Sequence, residues 1–290
     1  MNNEVERLKS EIRRLRETIG ELTPSLDHML ARRGFRIYKK EPSDDLLVPD
    51  KRYADSFYEK LHKYSFRLFL RDVIKHQDSF SLEDVTRYST VEITSQYMDF
   101  LMYAGLAESK EKNRQRLKTL PVRSFGETLE WFIAKLIKEE FGIETVWGVK
   151  FRRPEVGGDY DLIAKFDSGI LYMEIKSSPP KQIDDSEISA FLNRVEDLAP
   201  EISIFFVDTE LRMKDKIVAM FDAELQVRFK KVVPIRRIAK ELFHINRKIY
   251  IINSKGGISS NIEIVLSHKY YSGTNTTCNN PGKHKSHSEK

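Results

Sequence analysis

An α/β protein with a mixed sheet, preceded by a mainly α-helical module, is the fold class that this sequence predicts, on three observations. Two runs rich in β-branched and aromatic residues, Tyr160 to Phe166 and Ile170 to Lys176, flank Asp167-Ser168-Gly169 and read as a β-hairpin. After the hairpin, strand-like and helix-like stretches alternate. Ser186 to Ala199 reads as a helix, Ile202 to Asp208 as a short apolar strand and Met213 to Phe221 as an amphipathic stretch. Before it, three short helix-like segments lie between Tyr64 and Leu106.

Composition sets the class. A chain of 290 residues can bury a sizeable core, and no apolar run approaches the roughly 18 residues of a membrane helix. The start, Met-Asn-Asn-Glu-Val-Glu-Arg, is not a signal peptide, so a cytoplasmic protein without a membrane partner is expected. The lone cysteine, Cys278, excludes a disulfide within the chain and a cysteine-based zinc site. The net charge of +5 is modest, but nine Lys or Arg stand against the single acid Glu241 between Arg228 and Lys255. Such a stretch, with Arg236 and Arg237 in it, is either a phosphate-binding surface or an ordinary solvated face.

The hairpin carries the chemistry. Side chains alternate along each run, so Leu162, Ala164 and Phe166 share one face, and Leu171, Met173 and Ile175 share another. Joining the apolar faces predicts Phe166 opposite Leu171, Ala164 opposite Met173 and Leu162 opposite Ile175. That register sets Asp161 opposite Lys176, with Glu174 on the same face opposite Ile163. Two carboxylates that close repel unless a cation lies between them, and hard oxygen ligands select Mg²⁺ or Mn²⁺. A metal-bound water is a nucleophile for a phosphodiester, and the Lys176 ammonium would orient it and offset transition-state charge. The competing reading is an exposed, salt-bridged hairpin face.

These residues resemble the core of the PD-(D/E)XK nuclease superfamily, the restriction-endonuclease-like fold. There, an acid on a helix precedes the hairpin, an Asp opens the second strand and Glu-x-Lys closes the third. The helix here is Phe125 to Phe141, in which Glu130 lies in line with Ile133, Ala134, Ile137 and Phe141. The resemblance implies Glu130 as the helix acid holding a metal-bound water, Asp161 and Glu174 as metal ligands, Lys176 as the catalytic lysine and the Ile175 carbonyl as a further ligand. Tyr160 stands where many members have proline. Asp159, on the same strand face, rivals Asp161. Glu127, one turn before Glu130, rivals it for the helix role or is a helix-start carboxylate. Gln182, past Pro179-Pro180, resembles a polar residue that some members place near the site.

Residues 1–23 carry Val5, Leu8, Ile12, Leu15, Ile19 and Leu22 at alternating steps of three and four, a coiled-coil-type helix. A homodimer through residues 5–22 and a helix packed along its own domain are both consistent with that stripe. In residues 24–123, Phe66 to His76, Leu82 to Arg87 (capped by Ser81, with Asp84 behind it) and Thr90 to Ala104 (Ser89 and Glu92 as a capping box) read as helices. With the charged stretch to Leu120 as a β-wing, they look like a winged helix-turn-helix. Its third helix would turn Thr94, Ser95, Gln96 and Tyr97 to the major groove, and Lys110, Lys112, Arg114, Arg116 and Lys118 of the wing would hold phosphates. Glu92 and Asp99 favour protein contact instead. Tyr250 to Asn253 and Asn261 to Leu266 read as another strand pair, residues 124–270 as the nuclease-like domain and residues 271–290 as a disordered polar tail.

The expected function is a Mg²⁺- or Mn²⁺-dependent nuclease acting on DNA. The alternative is a non-catalytic DNA-binding regulator that keeps the nuclease fold as a scaffold.

Overall fold

The computed structural model describes residues 24–111, 113–118, 121–152 and 157–271, with scattered positions between residues 4 and 18. In chain order the elements are α1 (Leu26–Arg32), β1 (Ile37–Lys39), α2 (Lys51–Leu61), α3 (Tyr64–Lys75), α4 (Leu82–Val85), α5 (Val91–Tyr103), β2 (Ala107–Lys110) and β3 (Arg114–Leu117). There follow α6 (Gly126–Phe141), β4 (Thr145–Phe151), β5 (Tyr160–Phe166), β6 (Gly169–Lys176), α7 (Asp185–Leu198) and β7 (Ile202–Val207). The chain closes with α8 (Ala219–Phe229), β8 (Ile235–Ala239), β9 (Leu242–Ile245), β10 (Ile249–Asn253) and α9 (Ile258–Tyr270).

Eight strands form one sheet in the order β1-β4-β5-β6-β7-β10-β9-β8. β7 runs parallel to both β6 and β10, and the remaining neighbours are antiparallel, so the expected mixed sheet is present. Strands buried on both faces need no polar alternation, and β7 reads Ile-Ser-Ile-Phe-Phe-Val, buried throughout. On one face Leu162, Ala164 and Met173 pack with Leu129, Ile133 and Ile137 of α6, Ile262 of α9, and Phe57, Phe66 and Leu101 of the helical module. On the other, Ile163, Tyr172 and Phe205 pack with Leu30 of α1, Ile188 and Phe191 of α7, and Phe221 of α8.

The α/β order was legible, but several elements differ from expectation. The segment Asn261 to Leu266 is not a strand: it lies within α9, where Ile258, Ile262 and Val265 form a buried helical stripe. The partner of β10 on that side is β9, reached through Asn246 and Arg247 at positive φ. The amphipathic stretch begun at Met213 runs through a π turn, Lys214–Val218, and continues as α8. The Ser81–Asp84 capping box forms as expected. The cap of α5 is Thr90, whose hydroxyl accepts the Ile93 N–H, in place of the expected Ser89–Glu92 box. Ser89 instead bonds the Thr94 hydroxyl at 2.7 Å.

The hairpin register is displaced by two residues from the predicted one. Phe166 pairs with Gly169, Ala164 with Leu171 and Leu162 with Met173. The expected register needed a four-residue loop, whereas Asp167, at φ 50°, and Ser168 close a two-residue turn. A shift of two preserves pleat parity, so the apolar faces still meet.

Residues 24–39 belong to the large sheet: β1 pairs with β4, and Leu26, Met29, Leu30 and Phe35 enter the second core. Val5, Ile12, Ile19 and Leu22 of the heptad seam, Lys112, Cys278 and the polar tail beyond Tyr271 lie outside the described residues. Of the seam, Leu8 and Leu15 are 53% and 51% exposed.

Candidate active site

Three elements bring the predicted site together. The ladder between β5 and β6 ends at Leu162 and Met173. Continued, it would set Asp161 beside Glu174. At this end the Asp161 carboxylate accepts the Ile175 N–H at 2.7 Å, so a side chain replaces the backbone partner where the strands part. Tyr160 departs from plain pleat parity, its ring lying 5.3 Å from that of Tyr172 in the second core.

Glu130 approaches from α6. Its helix is anchored by buried Leu129, Phe132, Ile133, Leu136 and Ile137 and stopped by Gly142 at φ 66°. Gly148 of β4 makes room for it. Its φ is 56°, and a Cβ built there would lie 2.7 Å from Pro42 Cγ and 3.7 Å from Glu130 Oε2.

The electrostatics follow from this crowding. Burial, and then the carboxylates of Asp161, Glu127, Glu174 and Asp159, push the Glu130 carboxyl well above the usual range. Burial and Glu174 raise Asp161 likewise, against smaller opposing effects of the Ile175 N–H, Lys176 and Arg194. Among the described residues no ion pair closes on either acid.

Glu174 differs. It is 3% exposed, and both its oxygens are engaged. Oε1 lies 3.0 Å from Lys176 Nζ. Oε2 lies 2.9 Å from Arg194 Nη1 and also accepts the Tyr172 hydroxyl. Lys176 reaches Glu187 Oε1 at 2.8 Å as well. Burial disfavours the ammonium, but Glu174, Glu187 and Asp161 outweigh it and raise the Lys176 pKa, favouring the charged form.

The donors here are all oxygens, which suit Mg²⁺ or Mn²⁺ and not zinc. Among the described residues no three His, Cys, Asp or Glu side chains converge closely enough to hold an ion as they stand. The charge pattern nevertheless fits a cation, because burial and neighbouring carboxylates disfavour the charged forms of Glu130 and Asp161, and among the described residues no ion pair closes on either. Among the described residues Asp161 and Glu130 have oxygens that no ion pair engages, whereas Glu174 would have to share its own with Lys176 and Arg194.

The rival and auxiliary residues are tied elsewhere. Asp159 pairs with Lys150 of β4 at 2.9 Å. Glu127 accepts the Asp45 N–H at 3.0 Å, holding the 41–46 loop. Gln182 is exposed at the end of a 3-10 turn, Pro180–Gln182. Arg194, Glu187 and Tyr172 were not singled out in the sequence. Glu187 and Arg194 are seven apart, two turns along a helix that starts nine residues after Lys176, and that spacing was the available signal.

The nucleic-acid surface needs correction. Thr94 and Tyr97 do not face a groove: Thr94 is buried, and the Tyr97 ring packs 4.9 Å from that of Phe66. Thr94 and Tyr97 stand with Met98 and Leu101 on the buried stripe of α5, and its outer face presents Val91, Glu92, Ile93, Gln96 and Asp99, with Ser95 half-buried. β2 and β3 form an antiparallel ribbon, as the wing required. Its arginines are engaged, Arg114 with Asp84 at 2.8 Å and Arg116 with Glu108 at 2.6 Å, so neither is a free phosphate ligand. Arg236 and Arg237 are exposed on β8, an edge strand separated from β6 by three others.

No protein-family model matches this chain, and no curated protein matches it. Among solved structures it is similar to Can2 from Sulfobacillus thermosulfidooxidans, determined in complex with cyclic tetra-adenylate. The identity is 18%, over 63% of this chain and 50% of that one, with a TM-score of 0.43. It is also similar to protein VC1899 from Vibrio cholerae at 14% identity, over 85% of this chain and 60% of that one, with a TM-score of 0.43. The chain thus spans half to three fifths of those two proteins. Likenesses this distant assign it neither a family nor an activity.

Proposed function

We propose that this chain is a divalent-cation-dependent nuclease that hydrolyses phosphodiester bonds in DNA. The supporting observation is the pair Glu130 and Asp161, two enclosed carboxylates from different elements, both pushed up by burial and by neighbouring carboxylates, with no ion pair closing on either among the described residues. A buried like-charge pair is costly to keep unless it binds something positive.

A bound Mg²⁺ or Mn²⁺ would supply charge on the phosphodiester and a more acidic water, held by Asp161 and Glu174 with the Ile175 carbonyl, and by Glu130 through water. Lys176 orients the attacking water and offsets the negative charge that builds on the phosphorus oxygens. Glu187 and Glu174 hold its ammonium in place. Arg236 and Arg237, exposed on β8, would offer the DNA phosphates a basic surface.

A scaffold without hydrolysis is the second reading, favoured by the engagement of both Glu174 oxygens. Cleavage of plasmid, single-stranded and branched DNA with Mg²⁺ or Mn²⁺, run beside Lys176→Ala and Asp161→Asn, separates the two. Cation-dependent cleavage lost in both variants supports the nuclease. Cleavage unchanged in both removes this mechanism, and no cleavage by the parent chain on any substrate favours the scaffold.

A further inference from the structure

Arg194 was not expected at the site. It stands on α7, 13% exposed, with Nη1 2.9 Å from Glu174 Oε2. Its guanidinium carbon lies 5.9 Å from the centre of the Tyr160 ring. A Cβ at Gly158, whose φ is 103°, would fall 2.8 Å from Nη2, so the chain entering β5 passes directly over the guanidinium. Nε is buried and has no hydrogen-bond partner among the described residues. A merely structural arginine in so enclosed a place would be expected to satisfy that N–H. Its acid partner among the described residues, Glu174, is the carboxylate that, under the nuclease reading, a divalent ion must share.

We propose that Arg194 is the resident cation of this site, a positioning residue that occupies Glu174 and opposes divalent-ion binding until the ion displaces or outweighs it. The inference rests on the nuclease reading for the identity of the ion. Glu174 already faces two cations, Lys176 and Arg194, with the Tyr172 hydroxyl on the oxygen that Arg194 holds. A divalent ion brought beside Asp161 and Glu174 meets the repulsion of both cations and finds Glu174 Oε2 taken. Removing the guanidinium removes one repulsion and releases that oxygen. Lys176 still holds the other, so Glu174 keeps a counter-charge.

Binding, not cleavage, is the test. Mn²⁺ is titrated into the full chain without nucleic acid, and the free ion is followed by electron paramagnetic resonance for the parent, Arg194→Met and Arg194→Lys. Circular dichroism and thermal melting confirm that each variant is folded. The expected result is Mn²⁺ affinity raised about tenfold or more in Arg194→Met, with parental affinity in Arg194→Lys, because only the first removes the charge. A packing role predicts the opposite pattern, weaker binding in both. Parental binding with an Arg194→Met affinity equal or lower overturns the inference and leaves the metal-dependent reading standing. Binding by Arg194→Met where the parent shows none supports Arg194 as occupant and removes metal dependence from the native chain. No binding by any of the three overturns both.

Discussion

Asp208 donates its backbone N–H to the carbonyl of Lys176 at 2.8 Å, and its carboxylate is gripped by Arg67 and Arg71 of α3. The helical module is therefore tied, through one fully buried acid, to the backbone of the proposed catalytic lysine. Ser254, just beyond β10, also donates to that carboxylate. Three elements from distant parts of the chain meet at the end of the parallel strands, two strands' width at most from the proposed site.

Truncating Arg67 should be costly. Arg67→Met leaves the Asp208 carboxylate buried with fewer donors, and breaking a buried pair in this way costs roughly 3–5 kcal/mol. Urea unfolding measures it. A loss below about 1 kcal/mol would mean that Arg71 and Ser254 alone can satisfy Asp208.

The same pair makes stability depend on pH. Burial alone would raise the Asp208 carboxyl, but Arg67 and Arg71 outweigh it, and the net effect is a pKa below the usual carboxylate value. With the folded pKa below the unfolded one, this contribution is present above the unfolded value and is lost as pH falls through the folded one. Melting temperatures of the parent should thus fall more steeply below about pH 4 than those of Asp208→Asn.

Glu130 has the opposite sign. Its pKa is raised by burial and by Asp161, so the folded chain binds more protons than the unfolded one, and stability without added metal declines as pH rises above the ordinary carboxylate range. Glu130→Gln removes the repulsion. In the presence of a chelator it should melt higher than the parent at pH 8, by a margin that closes near pH 4.

Gly148 is predicted to be intolerant of a side chain. Alanine there adopts a strained positive φ and presses its Cβ on Pro42, a loss of about 1–3 kcal/mol. Because the same Cβ faces Glu130, Gly148→Ala should also weaken Mn²⁺ binding, measured by titration calorimetry.

Charge reversal at the sheet edge tests the DNA surface. Arg236→Glu combined with Arg237→Glu should weaken DNA binding on the order of tenfold at low salt and flatten its salt dependence, followed by fluorescence anisotropy. An unchanged salt slope would place the DNA elsewhere.

The grouping of Asp161, Glu174 and Lys176 was legible because strand geometry is a local rule. Alternation placed Asp161, Glu174 and Lys176 together even though the register was read two residues out, since an even displacement leaves every side chain on its own face. Helical spacing likewise aimed Glu130 at the sheet. Where a local rule was ambiguous, the reading failed. The β-branched run of Asn261 to Leu266 suits either a strand or a buried helix, and its position against β10 and α6 made it a helix. Thr94 and Tyr97 read as a polar helix start, but they lie on one helical stripe with Met98 and Leu101 that packs into the core.

Pattern along the chain was thus enough for the α/β class, the hairpin, and the four residues Glu130, Asp161, Glu174 and Lys176. Only three-dimensional packing set the order of the eight strands, the joining of Asp208 to α3 and the arrival of Arg194 at Glu174. The reason is range. Periodicity records which face of an element is apolar, but a charged side chain finds its partner across tens of residues, through contacts that no local spacing encodes.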